Sequence, residues 1–197
     1  LGCDGIEVDI QTTKDNKIIL FHDDYIMLNH KKFWIRNITR RQISSITRKQ
    51  NTQALSEFGD LLKIILQEKE MVFNLEIKSK TINNHQILTT IKNAIPENVL
   101  KDRCIVSSFN FFVLLQHKFI LKLSGPIAII VDAHHTNGWL KRSFFKLLIL
   151  LLKPQFLHVS IDGIDKNFLN FIKAQKIIIN TYTINNEKQI QKSIEYG

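Results

Sequence analysis

Short apolar runs alternate along the chain with longer segments in which apolar residues recur every three or four positions. The short runs are typical of strands, and the longer segments are typical of helices. The strand-like runs are GIEVDI, VFNLEIK, CIVSSF, IAIIVD, LHVSID and IIINTYTI. A further run, KIILFHD, follows the first through the turn-forming residues Lys14, Asp15 and Asn16. This alternation predicts an α/β fold in which helices cover a parallel sheet.

The candidate helices are LSEFGDLLKIILQEK, NHQILTTIKNAI, NFFVLLQHKF, SFFKLLILLL, KNFLNFIKAQ and NEKQIQKSIEYG. Six strand–helix units make up most of a (β/α)8 barrel, which needs eight units and about 250 residues. A barrel that lacks one strand at each end would explain the 197-residue length. A doubly wound open sheet fits the same alternation, but the chain has no glycine-rich phosphate loop of either nucleotide-binding kind. We expect a single domain over residues 1–197, a TIM barrel incomplete at both ends, and the pattern alone leaves the doubly wound sheet open as the alternative.

Two of the predicted strands carry charged residues on one face only. Side chains two positions apart in a strand point to the same side, so Glu7 and Asp9 share a face, and Glu76 and Lys78 share a face. The residues between them are apolar and are expected to face the covering helices. In barrel enzymes the chemistry lies at the carboxyl ends of the strands, so these charged residues are candidate site residues.

Three carboxylates without thiolates suit a hard cation, Mg2+ or Ca2+, rather than structural zinc. The alternative is a structural network in which Glu7 and Asp9 pair with Lys78 or another lysine. His22 follows a strand and precedes two acids, so it is a candidate general acid or base, and a structural role is its alternative. Ser107 and Ser108 end another strand, where Ser108 either binds a substrate oxygen or caps the next helix.

The formal net charge is +9 and the sequence pI is about 9.6, which is compatible with an anionic partner. The basic residues are scattered, however, and nothing indicates a nucleic-acid module. Arg36, Arg40 and Arg41 are expected on a solvated face, with contact to acidic lipid or product as the alternative. The apolar run FFKLLILLLKP is too short to span a bilayer and predicts a core helix, with interfacial contact as the alternative. Two cysteines do not make a disulfide framework, so we expect a reducing, cytoplasmic location.

Four segments together resemble the motifs of the glycerophosphodiester phosphodiesterases. GIEVDIQTTKDNKIILFHDD is similar to the first family signature: acid-x-acid, then Thr-Lys-Asp, a short hairpin and His-Asp. FNLEIK resembles the second motif and IVSSFN a later strand segment. INTYTINN resembles a segment that usually reads Trp-Thr-x-Asn, so Tyr182 stands at the position of the usual tryptophan. The four segments occur in the family's order.

The resemblance implies a (β/α)8 barrel that hydrolyses glycerophosphodiesters to glycerol 3-phosphate and an alcohol with a divalent cation. By position, it makes Glu7, Asp9 and Glu76 the metal ligands, His22 one of two catalytic histidines, and Lys78 a phosphate contact. Tyr182 would stack on the glycerol moiety. We expect a small-molecule glycerophosphodiester as the partner, in phospholipid or glycerol metabolism, with membrane contact possible but not required.

The sequence also departs from the family pattern. The second histidine of the family lies in a His-Arg-Gly motif on the first strand, and neither that strand nor the closing strand is present. His134 and His135, in a predicted loop, are candidate substitutes. Two other interpretations therefore stay open. In the first, the chain is a barrel remnant that binds phosphate esters or cations without turnover. In the second, it is a related phosphodiesterase that acts on lysophospholipid or sphingolipid headgroups.

Overall fold

The computed structural model describes residues 2–49, 55–132, 139–161 and 166–196. The chain forms two compact units, Leu1–Gly125 and Pro126–Gly197. Each unit alternates strands and helices and is described below by itself. The sequence pattern predicts one domain over residues 1–197, and this stays a prediction.

Nine strands and eight α-helices are present in the described residues. The strands are β1 Gly5–Thr12, β2 Ile18–Leu20, β3 Tyr25–Leu28, β4 Lys31–Trp34, β5 Val72–Ile77, β6 Cys104–Ser108, β7 Ile127–Val131, β8 Phe156–Ser160 and β9 Ile178–Tyr182. The helices are α1 Arg40–Lys49, α2 Phe58–Gln67, α3 His85–Ala94, α4 Glu97–Arg103, α5 Phe111–Leu115, α6 Trp139–Leu152, α7 Lys166–Ala174 and α8 Glu187–Tyr196. A 3-10 turn, Ile35–Asn37, follows β4, and a π-helical turn, Gln116–Ile120, extends α5.

In the first unit β1 lies between β2 and β5, and β6 lies on the other side of β5. The β1–β2 pair is an antiparallel hairpin, whereas β1–β5 and β5–β6 are parallel. Asn16 takes a φ of 60° in the hairpin turn, a left-handed conformation that asparagine tolerates. The predicted turn at this position is therefore present, and it returns the chain along the edge of β1.

Strand β5 shows why the site lies on one face of this sheet. Phe73, Leu75 and Ile77 alternate along it and are at most 1% exposed, as expected for a face covered by helices. The residues between them are polar and only partly buried. Parallel pairing then places Asp9 beside Glu76 in register, so the polar faces of β1 and β5 are continuous.

The apolar pattern of the sequence does not predict the β3–β4 hairpin or helix α1. These elements enclose a small apolar core of their own. Its buried members are Ile19, Ile26, Ile35, Ile38, Ile43 and Ile46. Only one or two of these isoleucines lie in each short element, so no single stretch of sequence shows a clear period. Arg40, predicted on a solvated face, instead pairs with Glu57 at 2.7 Å and is mostly buried.

In the second unit β7, β8 and β9 pair in parallel in that order. The predicted core helix in the FFKLLILLLKP run is present as α6, with Phe145, Leu148, Ile149 and Leu152 buried. Its other face is exposed, including Phe144 and Leu147. None of the described helices has the length and apolar character needed to span a membrane. Cys3 and Cys104 are both free.

Parallel strands followed by helices recur in both units, which confirms the α/β prediction. The strands of the described residues do not close into a barrel. The barrel architecture is instead shown by comparison with solved structures, given below with the site.

Candidate active site

The carboxylates of Glu7, Asp9 and Glu76 converge on the polar face of β1 and β5. One oxygen from each lies within 4.8 Å of the others. The convergence follows from two features of the sequence. Residues two apart on β1 share a side, and parallel pairing sets Asp9 against Glu76. The structure thus brings together the three acids that the sequence predicts as metal ligands.

Lys78 lies among these acids. Its Nζ atom is 3.2 Å from Asp9 Oδ1 and 3.2 Å from Glu76 Oε1. Burial alone would lower the pKa of Lys78, but the Glu76 and Asp9 carboxylates outweigh burial and raise it. The lysine therefore stays protonated, with its charge held where the acids converge. The predicted alternative, an acid–lysine network, is thus present in the same place as the candidate metal ligands.

The acids disfavour one another's ionisation. Loss of hydration, together with the charges of Asp9 and Glu76, raises the pKa of Glu7 to about 7 against the opposing charges of Lys78 and His22. Glu7 is exposed as a whole residue, so this shift reflects the surroundings of its carboxyl group. Burial is also the main cause that raises the pKa of Glu76, against the opposing effect of Lys78. A single lysine therefore does not fully compensate the three carboxylates.

Two side-chain oxygens that β5 contributes to this face have no hydrogen bond among the described residues. They are Glu76 Oε1, whose contact with Lys78 is an ion pair without hydrogen-bond geometry, and the side-chain oxygen of Asn74. Asn74 pairs in register with Glu7, so its oxygen is on the same face as the three acids. A buried acceptor without a donor is costly. The Asn74 oxygen is such an acceptor, whereas Glu76 Oε1 already has the Lys78 ammonium 3.2 Å away. The set is entirely oxygen, which is the donor type that Mg2+ and Ca2+ prefer. The residues present therefore fit a hard divalent cation.

His22 lies in the turn after β2, beside this cluster. Its side chain is 74% exposed, and its Nδ1 atom is 2.8 Å from Asp23 Oδ1. A carboxylate only accepts hydrogen bonds, so Nδ1 carries the proton and Nε2 is left for exchange with a ligand. The charged form of His22 acts to lower the pKa of both Glu7 and Glu76, which places it within electrostatic reach of the cluster.

Gln11, which is not among the site residues predicted from the sequence, holds the turn that carries His22. Its buried side-chain amide donates to the carbonyl oxygens of Phe21 at 2.6 Å and Asp23 at 2.9 Å. Gln11 is two residues after Asp9 on β1. The signal was thus available, because the same two-residue period that selects Glu7 and Asp9 continues to Gln11.

The two candidate serines lie on opposite faces of β6. Ser107 pairs in register with Glu76 and therefore shares the face of the acids, where its buried hydroxyl has no partner among the described residues. Ser108 faces the other way. Its hydroxyl donates to Ile77 O at 2.7 Å and accepts from the Asn110 N–H at 3.0 Å. The N-cap of α5 is instead Asn110, whose side-chain oxygen accepts from the Phe112 N–H at 3.0 Å, so Ser108 does not cap the helix. The substrate role of Ser108 stays a prediction.

The remaining candidates are Tyr182, in the second unit, and the two predicted loop histidines, while two other histidines are buried. Tyr182 ends β9, where its hydroxyl donates to Val131 O at 3.1 Å, and its stacking role stays a prediction. His134 and His135 lie outside the described residues. His117 and His158 are buried, and burial lowers the pKa of each to about 4.

The chain resembles known proteins along its whole length. It is 24% identical to a glycerophosphodiester phosphodiesterase of Bacillus altitudinis and 28% identical to one of Caldanaerobacter subterraneus subsp. tengcongensis, each time over 100% of this chain and 80% of the relative.

Solved structures show the same fold. A phosphodiesterase of Oleispira antarctica in complex with the product sn-glycerol-3-phosphate matches with a TM-score of 0.73 at 22% identity, over 100% of this chain and 79% of that one. A glycerophosphodiester phosphodiesterase of Parabacteroides distasonis matches with a TM-score of 0.75 at 17% identity, over 100% and 77%. These matches confirm the TIM-barrel fold class.

The family model that describes the glycerophosphoryl diester phosphodiesterase family matches residues 1–197. This match agrees with the acid-x-acid, His-Asp and Leu-Glu-Ile-Lys motifs that form the site. The chain therefore belongs to the glycerophosphoryl diester phosphodiesterase family, a family of phosphoric diester hydrolases.

Proposed function

We propose that this chain hydrolyses glycerophosphodiesters to sn-glycerol 3-phosphate and an alcohol, with a divalent cation held by Glu7, Asp9 and Glu76. The observation that carries the proposal is the convergence of three carboxylate oxygens within 4.8 Å on two paired strands. Family membership and the product bound to the Oleispira antarctica relative support the substrate class. The reaction belongs to phospholipid and glycerol metabolism, and a cytoplasmic location stays part of the proposal.

Each residue of the site has a chemical task. A bound divalent cation supplies Lewis-acid stabilisation of charge on the phosphoryl oxygens. Lys78 is protonated and contributes a fixed positive charge for the same oxygens. His22 exchanges a proton at Nε2, either with the glycerol hydroxyl that attacks phosphorus or with the departing alcohol oxygen. Attack by that hydroxyl breaks the bond to the alcohol and forms a cyclic glycerol phosphate, which water then opens to glycerol 3-phosphate. Asp23 fixes the tautomer of His22 through Nδ1, and Gln11 holds the backbone on either side of it.

The proposal is tested by hydrolysis of glycerophosphocholine by the 197-residue chain, with and without Mg2+ or Ca2+. The product measured is glycerol 3-phosphate. We expect cation-dependent release that disappears in Glu7→Ala and His22→Ala. Glu70→Ala is the matched control, since Glu70 is an exposed acid outside the cluster and its loss should not change the rate.

A second version of the chain, with an added His-Arg-Gly strand at the start and an added closing strand, separates the open interpretations. Turnover only in the extended version would mean that the chain supplies part of a catalytic site. If both folded versions bind Mn2+ but neither releases product, the hydrolysis proposal is wrong and the binding-remnant interpretation is favoured. Lysophosphatidylcholine and sphingomyelin, assayed alongside, test the lipid-headgroup alternative.

A further inference from the structure

A cavity of about 590 Å3 opens next to the acid cluster within the first unit. Its walls come from the β1–β2 turn, the β4 end of the β3–β4 hairpin, and the loop between β5 and α3. Lys78 belongs to both the cluster and this cavity, and Gln11, which holds the His22 turn, also lines the cavity. A ligand whose phosphate contacts Lys78 would therefore extend into the cavity, and a volume of this size is typical of small-molecule sites.

The cavity is basic. Beyond Lys78, it is lined by Lys14, Arg36 and Lys80. Asp24 is the only acid among the described lining residues, and it already forms an ion pair with Lys80. The positive charges thus exceed the negative ones here, whereas the adjacent cluster has more acids than bases. The two halves of one continuous site have opposite charge.

The aromatic residue of the cavity is occupied by cations of the protein itself. Lys80 Nζ lies 5.8 Å from the ring centroid of Trp34, and Arg36 Cζ lies 6.0 Å from it. A free tryptophan face attracts quaternary ammonium groups such as choline. In this cavity such a group would have to displace two protein cations and would meet their repulsion. The arrangement therefore disfavours a cationic alcohol and favours an anionic one.

We propose that this cavity is the subsite for the alcohol part of the substrate, and that Arg36 and Lys80 select alcohols that carry a further anionic group such as a phosphate. The inference rests on the proposed hydrolysis of glycerophosphodiesters, whose phosphate would lie at Lys78. Arg36 and Lys80 then act on specificity, because they contact a part of the substrate that does not react.

The test compares three substrates that differ mainly in the charge of the alcohol: glycerophosphoinositol 4-phosphate, glycerophosphoinositol and glycerophosphocholine. We expect kcat/KM for the first to exceed that for the second by about tenfold, the factor for one good charge-assisted contact. Glycerophosphocholine should be the poorest of the three. The preference should also decrease as salt is raised, because exposed charges are screened.

Variants assign the preference to the cavity. Arg36→Gln and Lys80→Gln should each lower the ratio between the two inositol substrates, and the double variant should bring it close to one. Lys80→Arg keeps the charge and should keep the ratio. Lys101→Gln is the matched control, because Lys101 is exposed on α4 and does not line the cavity. Arg36 and Lys80 are both exposed, so these variants should fold.

The outcomes separate this inference from the proposed function. Cation-dependent turnover of all three substrates without a preference, or a preference that both glutamine variants leave intact, would overturn the anionic subsite while the hydrolysis stands. If no substrate is turned over, the proposed hydrolysis fails. Calorimetric titration with inositol 1,4-bisphosphate then tests by itself whether the cavity binds anions. Binding that Arg36→Gln and Lys80→Gln abolish would support an anion-selective cavity, and no binding would overturn it.

Discussion

Buried polar atoms without hydrogen bonds occur at two kinds of place in the described chain. One is the polar face of β1, β5 and β6, where the side-chain oxygens of Asn74, Glu76 and Ser107 have no donor. The other consists of two single histidines, His117 with both ring nitrogens unpartnered and His158 with Nε2 unpartnered. Burial disfavours the charged form at both places. It raises the pKa of Glu76 and lowers the pKa of both histidines to about 4.

The strand face and the single histidines differ in whether several polar side chains converge on one point. On the strand face the unpartnered Glu76 carboxylate converges with those of Glu7 and Asp9 within 4.8 Å, so a single cation could be held by all three. At each histidine the neutral ring is simply accommodated in the core, which costs hydrogen bonds but creates no charge. A buried polar atom without a hydrogen bond therefore indicates a ligand site only where acceptor atoms of other residues lie close to it.

The largest expected effect comes from removing one converging charge without changing its size. Glu76→Gln should lower kcat/KM on the order of 10³-fold, because weaker binding of the cation also removes its stabilisation of the charge on the phosphoryl oxygens. Binding of Mn2+, measured by calorimetry, should weaken in parallel. His117→Gln is the control from the other kind of place. If it lowers activity and Mn2+ binding as much as Glu76→Gln does, the convergence argument is wrong.

Lys78 allows a sharper test, because it is a cation of the protein inside the acid cluster. Lys78→Met should lower kcat about 100-fold through the loss of a phosphate contact. The same change should strengthen Mn2+ binding, because the ammonium no longer competes for Asp9 and Glu76. Lys69→Met, at an exposed position outside the cluster, should change neither. Weaker Mn2+ binding in Lys78→Met would mean that the lysine supports the ligands rather than competing with a cation.

The part of the site carried by strands could be predicted from the sequence. A two-residue period sets Glu7 with Asp9 and Glu76 with Lys78, and parallel pairing of the strands brings the two pairs together. The α/β fold followed from the same alternation of patterns. Both predictions depend on local periods that the fold repeats without change.

The cavity could not be predicted in this way. Trp34 ends the β3–β4 hairpin and Arg36 lies in the 3-10 turn after it. The core under these elements is shared among several short segments, so no local period in the sequence indicates the cavity. Ser107 and Ser108 show a related difficulty. They are neighbours in sequence, and only the register of β6 with β5 reveals which one faces the acids. Loops and registers are set by tertiary contacts that one sequence does not display.

Unlike the buried polar atoms without hydrogen bonds, the buried side-chain amide of Gln11 donates to two carbonyl oxygens. A substitution of Gln11 should therefore lower kcat less than the substitutions of Glu76 and Lys78. Gln11→Leu should lower kcat about tenfold by loosening the turn that positions His22, while Mn2+ binding stays unchanged. A double-mutant cycle tests whether Gln11 acts on kcat through His22. In a His22→Ala background the same substitution should cost almost nothing further. Equal losses in both backgrounds would show that Gln11 supports the fold in general rather than His22.

The smallest expected effect is the pH dependence caused by the single histidines. Each pKa is about 4 in the folded chain and 6.5 in the reference state, so the unfolded chain binds more protons between these values. The contribution of each neutral ring to stability is therefore complete above pH 6.5 and is lost as the pH falls towards 4. His117→Leu and His158→Leu should each remove this loss, on the order of 1 kcal/mol at pH 5.

Between pH 4 and pH 7 the acid cluster changes the free energy of unfolding in the opposite direction to the histidines. The histidine contribution is therefore obtained by subtracting the wild-type value from that of each histidine variant at the same pH. The pKa of Glu7 rises from 4.5 to about 7 on folding, so its contribution is complete below pH 4.5 and is lost as the pH rises through 7. Urea unfolding of the wild type and of each leucine variant, measured at pH 5 and pH 7.5, cancels the acid contribution that they share. A difference between variant and wild type that is the same at both pH values would contradict the assignment of buried, neutral histidines.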